Sequence, residues 1–339
     1  MLQKNTLIFT CCSLSLLFNA LHAETKEKPQ STEELLNDRV ITAEQKNKLD
    51  KKNDREGYLK DRLQNYSGPG SLNEGQIALQ LQIQNEAPDM LCIANTGALA
   101  VAVVNQEAPP FVFTNKEGEL DGIDIQIAKK IAEELGVKPV FVKVDTFDAV
   151  IEMVIEKKVN MGISKLSVTS DRTKKVRFAG SYVKLAKALQ INRLGLKKLN
   201  KNKNLTLTQL FNSPEATIGV LEKSAYESYA KVLFPKAKVV SYKNWDEALN
   251  DMKSGKILAV FRDEWEAKKS VLNNPNLAIQ AETITINEQD DPFQMVVPWS
   301  SPQFAHYLDN FILVNSKYQY DLPKLTLAYK AYTNNNQQK

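Results

Sequence analysis

The chain has 339 residues, 43% of them hydrophobic, with 44 Lys and Arg against 40 Asp and Glu for a formal net charge of +4. These are the proportions of an ordinary globular protein, long enough for two or three domains and a sizeable core. They give no support to a nucleic-acid binder: Lys197, Lys198, Lys201 and Lys203 form a local basic run, but Asn and Leu break it up, as in a solvated surface turn.

At the N-terminus, Lys4 precedes an apolar run over residues 7–18, followed by Asn19-Ala20-Leu21-His22-Ala23. This is the pattern of a secretory signal peptide, residues 1–23, cut after Ala23. The apolar run is short for a membrane span. Cys11 and Cys12 lie inside it, so Cys92 alone remains after cleavage and no intrachain disulfide can form. Residues 24–30 are polar and expected to be disordered. Three capping boxes follow, at Ser31-Thr32-Glu33-Glu34, Thr42-Ala43-Glu44-Gln45 and Ser71-Leu72-Asn73-Glu74. The second opens a mostly polar helix over residues 43–64, whose large apolar residues are Leu49, Tyr58 and Leu63. Ser67-Gly68-Pro69-Gly70 breaks the chain. Residues 24–97 thus read as a helical extension, a packing appendage more readily than a partner-docking element.

From Leu99 the pattern becomes β/α. Residues 99–104 form a continuous apolar strand, and Pro109-Pro110-Phe111 turns the chain. Ile123, Ile127, Ile131 and Leu135 make one stripe of a helix that stops at Gly136. A strand over 140–144, a helix over 147–157 and a strand over 159–163 complete the first set. Residues 185–193 read as a crossover strand. The pattern then restarts, with strands at 217–221, 237–241 and 257–261 and helices at 224–234, 246–254 and 263–272. Thr146-Phe147-Asp148 and Asn244-Trp245-Asp246 each open a helix that feeds an apolar strand, which makes the halves structural cousins. Residues 278–286 extend again and 292–332 return to the first lobe. Lobe 1 is therefore expected over 98–190 plus 285–332, lobe 2 over 191–284, and a disordered tail over 333–339. The hinge is expected at about 190–193 and 281–286.

In open α/β sheets a ligand lies beyond the carboxyl ends of the strands. Residues 160–172, NMGISKLSVTSDR, take a strand into hydroxyls and then one arginine, an anion-holding corner. Asp263 follows the last strand of the second set and suits an ammonium. An Arg on one lobe and an Asp on the other are the minimum for holding a zwitterion.

These residues resemble the bacterial extracellular solute-binding proteins of family 3, polar amino-acid receptors of ABC importers. The resemblance rests on Gly122-Ile123-Asp124-Ile125-Gln126-Ile127, Pro110-Phe111, Phe147-Asp148, Ser167-Val168-Thr169 with Arg172, and Arg262-Asp263-Glu264, in the family's order. It departs at Gln126, where an acidic residue is usual. At Ala108 many members carry a second aromatic, and at Lys165 a Gly or Ser is usual. Lys223 stands where a small residue is common, and Asn160 replaces a frequent Asp.

The resemblance implies an α/β fold, two-lobed and periplasmic-binding-protein-like (type II), carrying the helical extension. Arg172 would bind an α-carboxylate with help from Ser167 and Thr169, and Asp263 would take the α-ammonium. Phe147 would cover the ligand side chain, with Ser164 and Ser224 as polar neighbours. Lys165, if it points inward, would favour an acidic ligand or crowd out α-amino acids. The implied protein is a monomeric periplasmic receptor that needs no cofactor or metal and delivers its ligand to a membrane permease. It is not an enzyme. Two other readings carry less weight: a ligand-sensing regulatory protein, and a dehydratase on the same fold with Glu107, Glu222, Glu264 or His306 as candidate acid or base.

Overall fold

The computed structural model describes residues 72–201 and 205–337. The expected signal segment, the first two capping boxes, the polar helix over 43–64, the break at Ser67-Gly68-Pro69-Gly70 and Lys203 lie outside the described residues.

The extension enters as α1 (Glu74–Glu86) and α2 (Leu91–Thr96). A capping box does open α1, but Asn73 and Gln76 build it: Gln76 N–H donates to Asn73 Oδ1 (2.9 Å) and Asn73 N–H to Gln76 Oε1 (3.0 Å). Ile83, Met90 and Ile93 are buried in the core of the first lobe, and Gln80 Nε2 donates to the Leu135 carbonyl (2.6 Å). Asp89 Oδ2 accepts from the backbone N–H groups of Gln303 and Phe304 (2.8 and 3.2 Å), capping a later helix from outside its own chain segment. The described part of the extension is therefore a packing element of lobe 1.

Lobe 1 contains β1 (Ala98–Val104), a small hairpin of β2 (Phe113–Thr114) and β3 (Leu120–Asp121), α3 (Ile123–Glu134), β4 (Lys138–Val144), α4 (Phe147–Ile155) and β5 (Met161–Ser167). After the short α5 (Ser170–Thr173), β6 (Arg177–Asn192) leads into lobe 2. There follow α6 (Arg193–Leu199), α7 (Leu207–Phe211), β7 (Thr217–Leu221), α8 (Ala225–Leu233), β8 (Lys238–Tyr242), α9 (Trp245–Ser254), β9 (Ala259–Asp263), α10 (Glu264–Asn273) and α11 (Leu277–Gln280). The return is β10 (Ala281–Val297), and α12 (Pro302–Val314) and α13 (Leu322–Gln337) close lobe 1. Because α13 runs to Gln337, it includes the first residues of the expected disordered tail. Tyr332, one turn earlier, packs its ring on Phe113 (4.7 Å between centroids) and fixes the helix there.

One hydrogen-bonded sheet runs through both lobes in the order β4-β1-β5-β10-β6-β9-β7-β8. Within each lobe the first strand is central, the second lies outside it and the third inside, all parallel; a long antiparallel strand then covers the third. The two halves share this plan. Strand β1 is buried along its whole length, as a strand covered on both faces must be. Gly162 in β5 is needed for that covering, since a Cβ there would meet Val150 Cγ1 of α4 at 2.4 Å and Val296 Cγ2 of β10 at 3.0 Å.

Strand β5 does not end at Ile163. Phe293 and Gln294 of β10 pair with Ser167 and Leu166, extending the ladder to Ser167. Ser164 is therefore inside the sheet, where its hydroxyl accepts the Val104 N–H (2.8 Å) and ties β5 to β1. The strands that link the lobes also run further than the sequence pattern indicates: β6 begins at Arg177 rather than 185, and β10 continues to Val297 rather than 286, while residues 187–191 of β6 pair with β9 of lobe 2. Among the described residues no helix is long and apolar enough to cross a membrane.

Candidate functional site

Strands β5, β7 and β9 and the first residues of α4, α8 and α9 bring side chains to one cavity between the lobes. Counted out to its open mouth, it holds about 380 Å³ of unfilled space. Lobe 1 contributes Phe147, Lys165, Ser167 and Arg172; lobe 2 contributes Leu221, Ser224, Ala225, Tyr226, Trp245 and Asp263; Phe293 comes from β10.

Each polar member is held by a local device. Thr169 caps α5 by accepting the Arg172 N–H (3.2 Å), which plants Arg172 at the strand's end. The guanidinium donates to Asp148 Oδ1 (3.0 Å) and the Ser167 carbonyl (3.3 Å), and the side chain is buried while Asp148 is half exposed. Asp263 caps α10, accepting the Glu266 N–H (2.8 Å). Ser224 Oγ donates to the Leu221 carbonyl (2.6 Å) at the start of α8. Ser167 Oγ donates to Asp291 Oδ2 (3.0 Å), which also accepts from the Tyr226 hydroxyl (2.6 Å). Burial pushes Asp291 up to about 6, against the Tyr226 hydrogen bond.

Lys165 points into the cleft and crosses it. Its ammonium donates to Glu266 Oε1 (2.7 Å) on lobe 2, with the lysine side chain 13% exposed and the glutamate 4%. Glu266 Oε2 also takes Arg262 and Lys269, each at 2.8 Å. Burial alone would raise the Glu266 carboxyl; Lys165, Lys269 and Arg262 outweigh it and hold the group well below the usual carboxylate range. Burial likewise works against the Lys165 ammonium, but Glu266 and Asp263 keep it charged and raise it above its ordinary value. Asp263 is raised by burial, with Lys165 opposing. The Lys165 backbone has φ +41°, in the left-handed region, and its N–H donates to the Tyr182 hydroxyl (2.8 Å) and Asp124 Oδ2 (3.2 Å). Burial pushes Asp124 up to about 7. A second contact across the cleft joins the Tyr229 hydroxyl of α8 to the Val168 carbonyl (2.6 Å).

Six of the eight expected site residues thus line the cavity: Phe147, Lys165, Ser167, Arg172, Ser224 and Asp263. Ser164 does not, because its hydroxyl is spent on β1, and Thr169 acts through Arg172 as its cap. The candidate acids and bases are not among the lining residues. Glu107 binds the N–H and hydroxyl of Thr114, Glu264 Oε1 accepts the Ala186 N–H (2.8 Å), and His306 lies against Asn310 on the exposed side of α12. Among the described residues no group of three or more His, Cys, Asp or Glu could hold a metal ion. Sequence reasoning missed Trp245, Tyr226, Arg262, Glu266 and Asp291. Trp245 was within reach, since it occupies in lobe 2 the place that Phe147 occupies in lobe 1. Arg262 and Glu266 are four residues apart, but Arg262 lies in β9 and Glu266 in the helix that follows, so helical spacing did not signal the pair.

Residues 100–268 match the model of the family described as bacterial extracellular solute-binding proteins, family 3. Among curated proteins, ABC transporter arginine-binding protein 1 of Escherichia coli (strain K12) is 27% identical over 182 residues, covering 54% of this chain and 70% of the relative. The histidine-binding periplasmic protein of Salmonella typhimurium is 29% identical over 168 residues, covering 49% and 61%. The arginine-binding periplasmic protein of Mannheimia haemolytica is 27% identical over 172 residues, covering 51% of this chain, and the match spans 66% of its length. Among solved structures, an ancestral arginine-binding protein bound to arginine is 25% identical with a TM-score of 0.52, covering 69% of this chain and 98% of that one. The ancestral amino acid-binding protein AncCDT-1, a precursor of cyclohexadienyl dehydratase, shares the fold at 24% identity and a TM-score of 0.55, covering 72% and 99%.

Proposed function

We propose, from the match of residues 100–268 to the family described as bacterial extracellular solute-binding proteins, family 3, that the chain is a periplasmic receptor. It captures an amino acid or related small zwitterion between its lobes and delivers it to the membrane permease of an ABC-type importer. The observation that carries this reading is the convergence of Arg172 from one lobe and Asp263 from the other on a single cavity. The names of the arginine- and histidine-binding relatives support it.

The chemistry follows from the two ends. A guanidinium offers paired donors to a carboxylate, and a buried carboxylate offers acceptors to an ammonium; both are strong once water is excluded. Phe147 and Trp245 flank the space between. The lobes close by bending β6 and β10, the two strands that join them, and closure adds the contacts of the second lobe to those of the first. The secretory signal takes the chain to the periplasm, where it acts as a monomer. In this reading the chain binds its ligand rather than converting it, in keeping with the arginine- and histidine-binding names of its relatives.

A thermal-shift screen of the mature chain against the amino acids tests this reading. A ligand present at 100 times its Kd adds about 2.7 kcal/mol to the folded state, roughly 5 °C or more in Tm. The expected result is a shift with one amino-acid class that Arg172→Ala and Asp263→Asn both abolish. No shift with any member of the panel would overturn it.

A further inference from the structure

A receptor for a neutral zwitterion needs an anionic corner waiting for the ligand's ammonium. Here a lysine of the protein already shares that corner. Lys165 lies between Asp263 and Glu266, bonded to the second and electrostatically coupled to the first. Arg262 and Lys269 also bind Glu266, so three cations surround two carboxylates. Nearby charges do not reverse the balance: Asp291 is offset by Lys187, half-exposed Asp148 pairs with Arg172, and burial pushes Asp124, behind Lys165, up to about 7. The charged side chains that line the cavity itself are Lys165, Arg172 and Asp263, which sum to +1.

Two further observations point the same way. Lys165 holds a backbone conformation that side chains other than Gly, Asn and Asp rarely adopt, φ +41°, at the residue that delivers the ammonium to the cleft. Arg262 is 2% exposed, and its Nε and Nη1 have no hydrogen-bond partner among the described residues. Its guanidinium stacks 4.2 Å from the ring centroid of Trp245, which lines the cavity. A buried guanidinium behind a cavity wall adds to the net positive potential of the lining, which is complementary to an anion.

We infer that Lys165 is a specificity-determining residue and that the ligand is a small carboxylate of net negative charge, such as an acidic amino acid. One carboxylate meets Arg172 and a second meets Lys165. This rests on the reading of the cavity as the ligand site. A ligand of charge −1 neutralises the lining, whereas a cationic amino acid raises the enclosed charge to +2, a like-charge contact in a dry space.

Isothermal titration of the mature full chain with glutamate, glutarate, glutamine and arginine tests the inference. The expected result is that glutamate or glutarate binds at least tenfold more tightly than glutamine and that arginine does not bind. Glutarate lacks the ammonium, so glutamate's advantage over it reports whether Asp263 still reads that group. Lys165→Gly should weaken the anions at least tenfold relative to glutamine, without lowering Tm through backbone strain, because glycine accepts the positive φ. Lys165→Met, which keeps the length of the side chain, serves if the glycine variant does not fold, and Lys165→Arg should keep the anion preference. If glutamine or arginine binds best to the wild type, or if Lys165→Gly and Lys165→Met leave the preference unchanged, the charge assignment is overturned while the receptor reading stands. If none of the four binds to any variant, the acidic-ligand inference is overturned, and the amino-acid thermal-shift screen decides separately whether the cavity is a ligand site.

Discussion

The third strand of each lobe delivers its last residues to the cleft, β5 with Ser167 and the turn to Arg172, β9 with Arg262 and Asp263. The order of strands behind them is the same, and each lobe places an aromatic at the head of the helix before that strand, Phe147 in one and Trp245 in the other. What differs is the partner each end has been given. Arg172 sits on a four-residue helix beside a half-exposed carboxylate, and its charge is lightly committed. Asp263 opens a ten-residue helix whose third residue, Glu266, gathers three cations. One lobe keeps its charge available; the other binds its charge into its own structure. A shared scaffold therefore does not make the two ends of the site equal contributors.

The largest test of this contrast is Glu266→Ala. It leaves Lys165, Arg262 and Lys269 facing one another without their common acceptor, and breaking a buried ion pair costs about 3–5 kcal/mol. Urea denaturation should show that loss. The lobe 1 counterpart, Asp148→Ala, removes an exposed partner and should cost no more than about 1 kcal/mol. Equal losses would erase the contrast.

Next come the two groups proposed to hold the ligand. Arg172→Ala should lower affinity roughly 100-fold, as removal of a buried charge partner does, with little change in Tm. Asp263→Ala should also lower stability by about 1 kcal/mol, because it uncaps α10, and Asp263→Asn should recover the stability, since Asn caps as well. Calorimetry of binding beside thermal melts separates the two effects. A Tm loss for Arg172→Ala as large as that for Asp263→Ala would contradict the asymmetry.

A smaller effect is expected at the aromatics. Truncating Phe147 should weaken binding about tenfold, in line with a loss of 1–2 kcal/mol of buried contact. Trp245→Ala should weaken it further because Arg262 loses the ring it stacks on. Affinity for the best ligand in the panel reads both, and the reverse order would argue that Phe147 is the principal cover.

The smallest change is Tyr229→Phe, which deletes one hydrogen bond across the cleft, about 0.5–1.5 kcal/mol. Small-angle scattering of the ligand-free chain should show a larger mean radius. An unchanged radius would mean that Tyr229 does not hold the lobes together.

Much of the scaffold was legible in the sequence because apolar periodicity tracks burial. The stripe Ile123, Ile127, Ile131 and Leu135 is fully buried or nearly so, and α3 stops before Gly136 as expected. The aromatic-Asp repeat correctly announced two lobes of one design. The end of β5 was harder, because a strand's last pairs depend on a partner over a hundred residues away: nothing near Ser164 reveals that β10 will lie beside Leu166 and Ser167. For the same reason Ser164 looked like a ligand contact although its hydroxyl serves the sheet. At the site, Arg172 and Asp263 were readable from their positions after apolar strands. Glu266 was not, since its meaning comes from Lys165, 101 residues earlier in the chain.

The β6–β10 ladder slips register between Ile286 and Asp290, opposite Lys187 and Ala186. On either side of that slip the two strands are paired. Ala186, at the slip, is gripped through its N–H by Glu264, and Glu264 is the first residue of the helix that carries Glu266. Trp265 alone thus separates, along the chain, the grip on the ribbon from the carboxylate that answers to Lys165. The cleft carboxylate and a register slip of the ribbon that joins the lobes are thus tied to the same end of one helix.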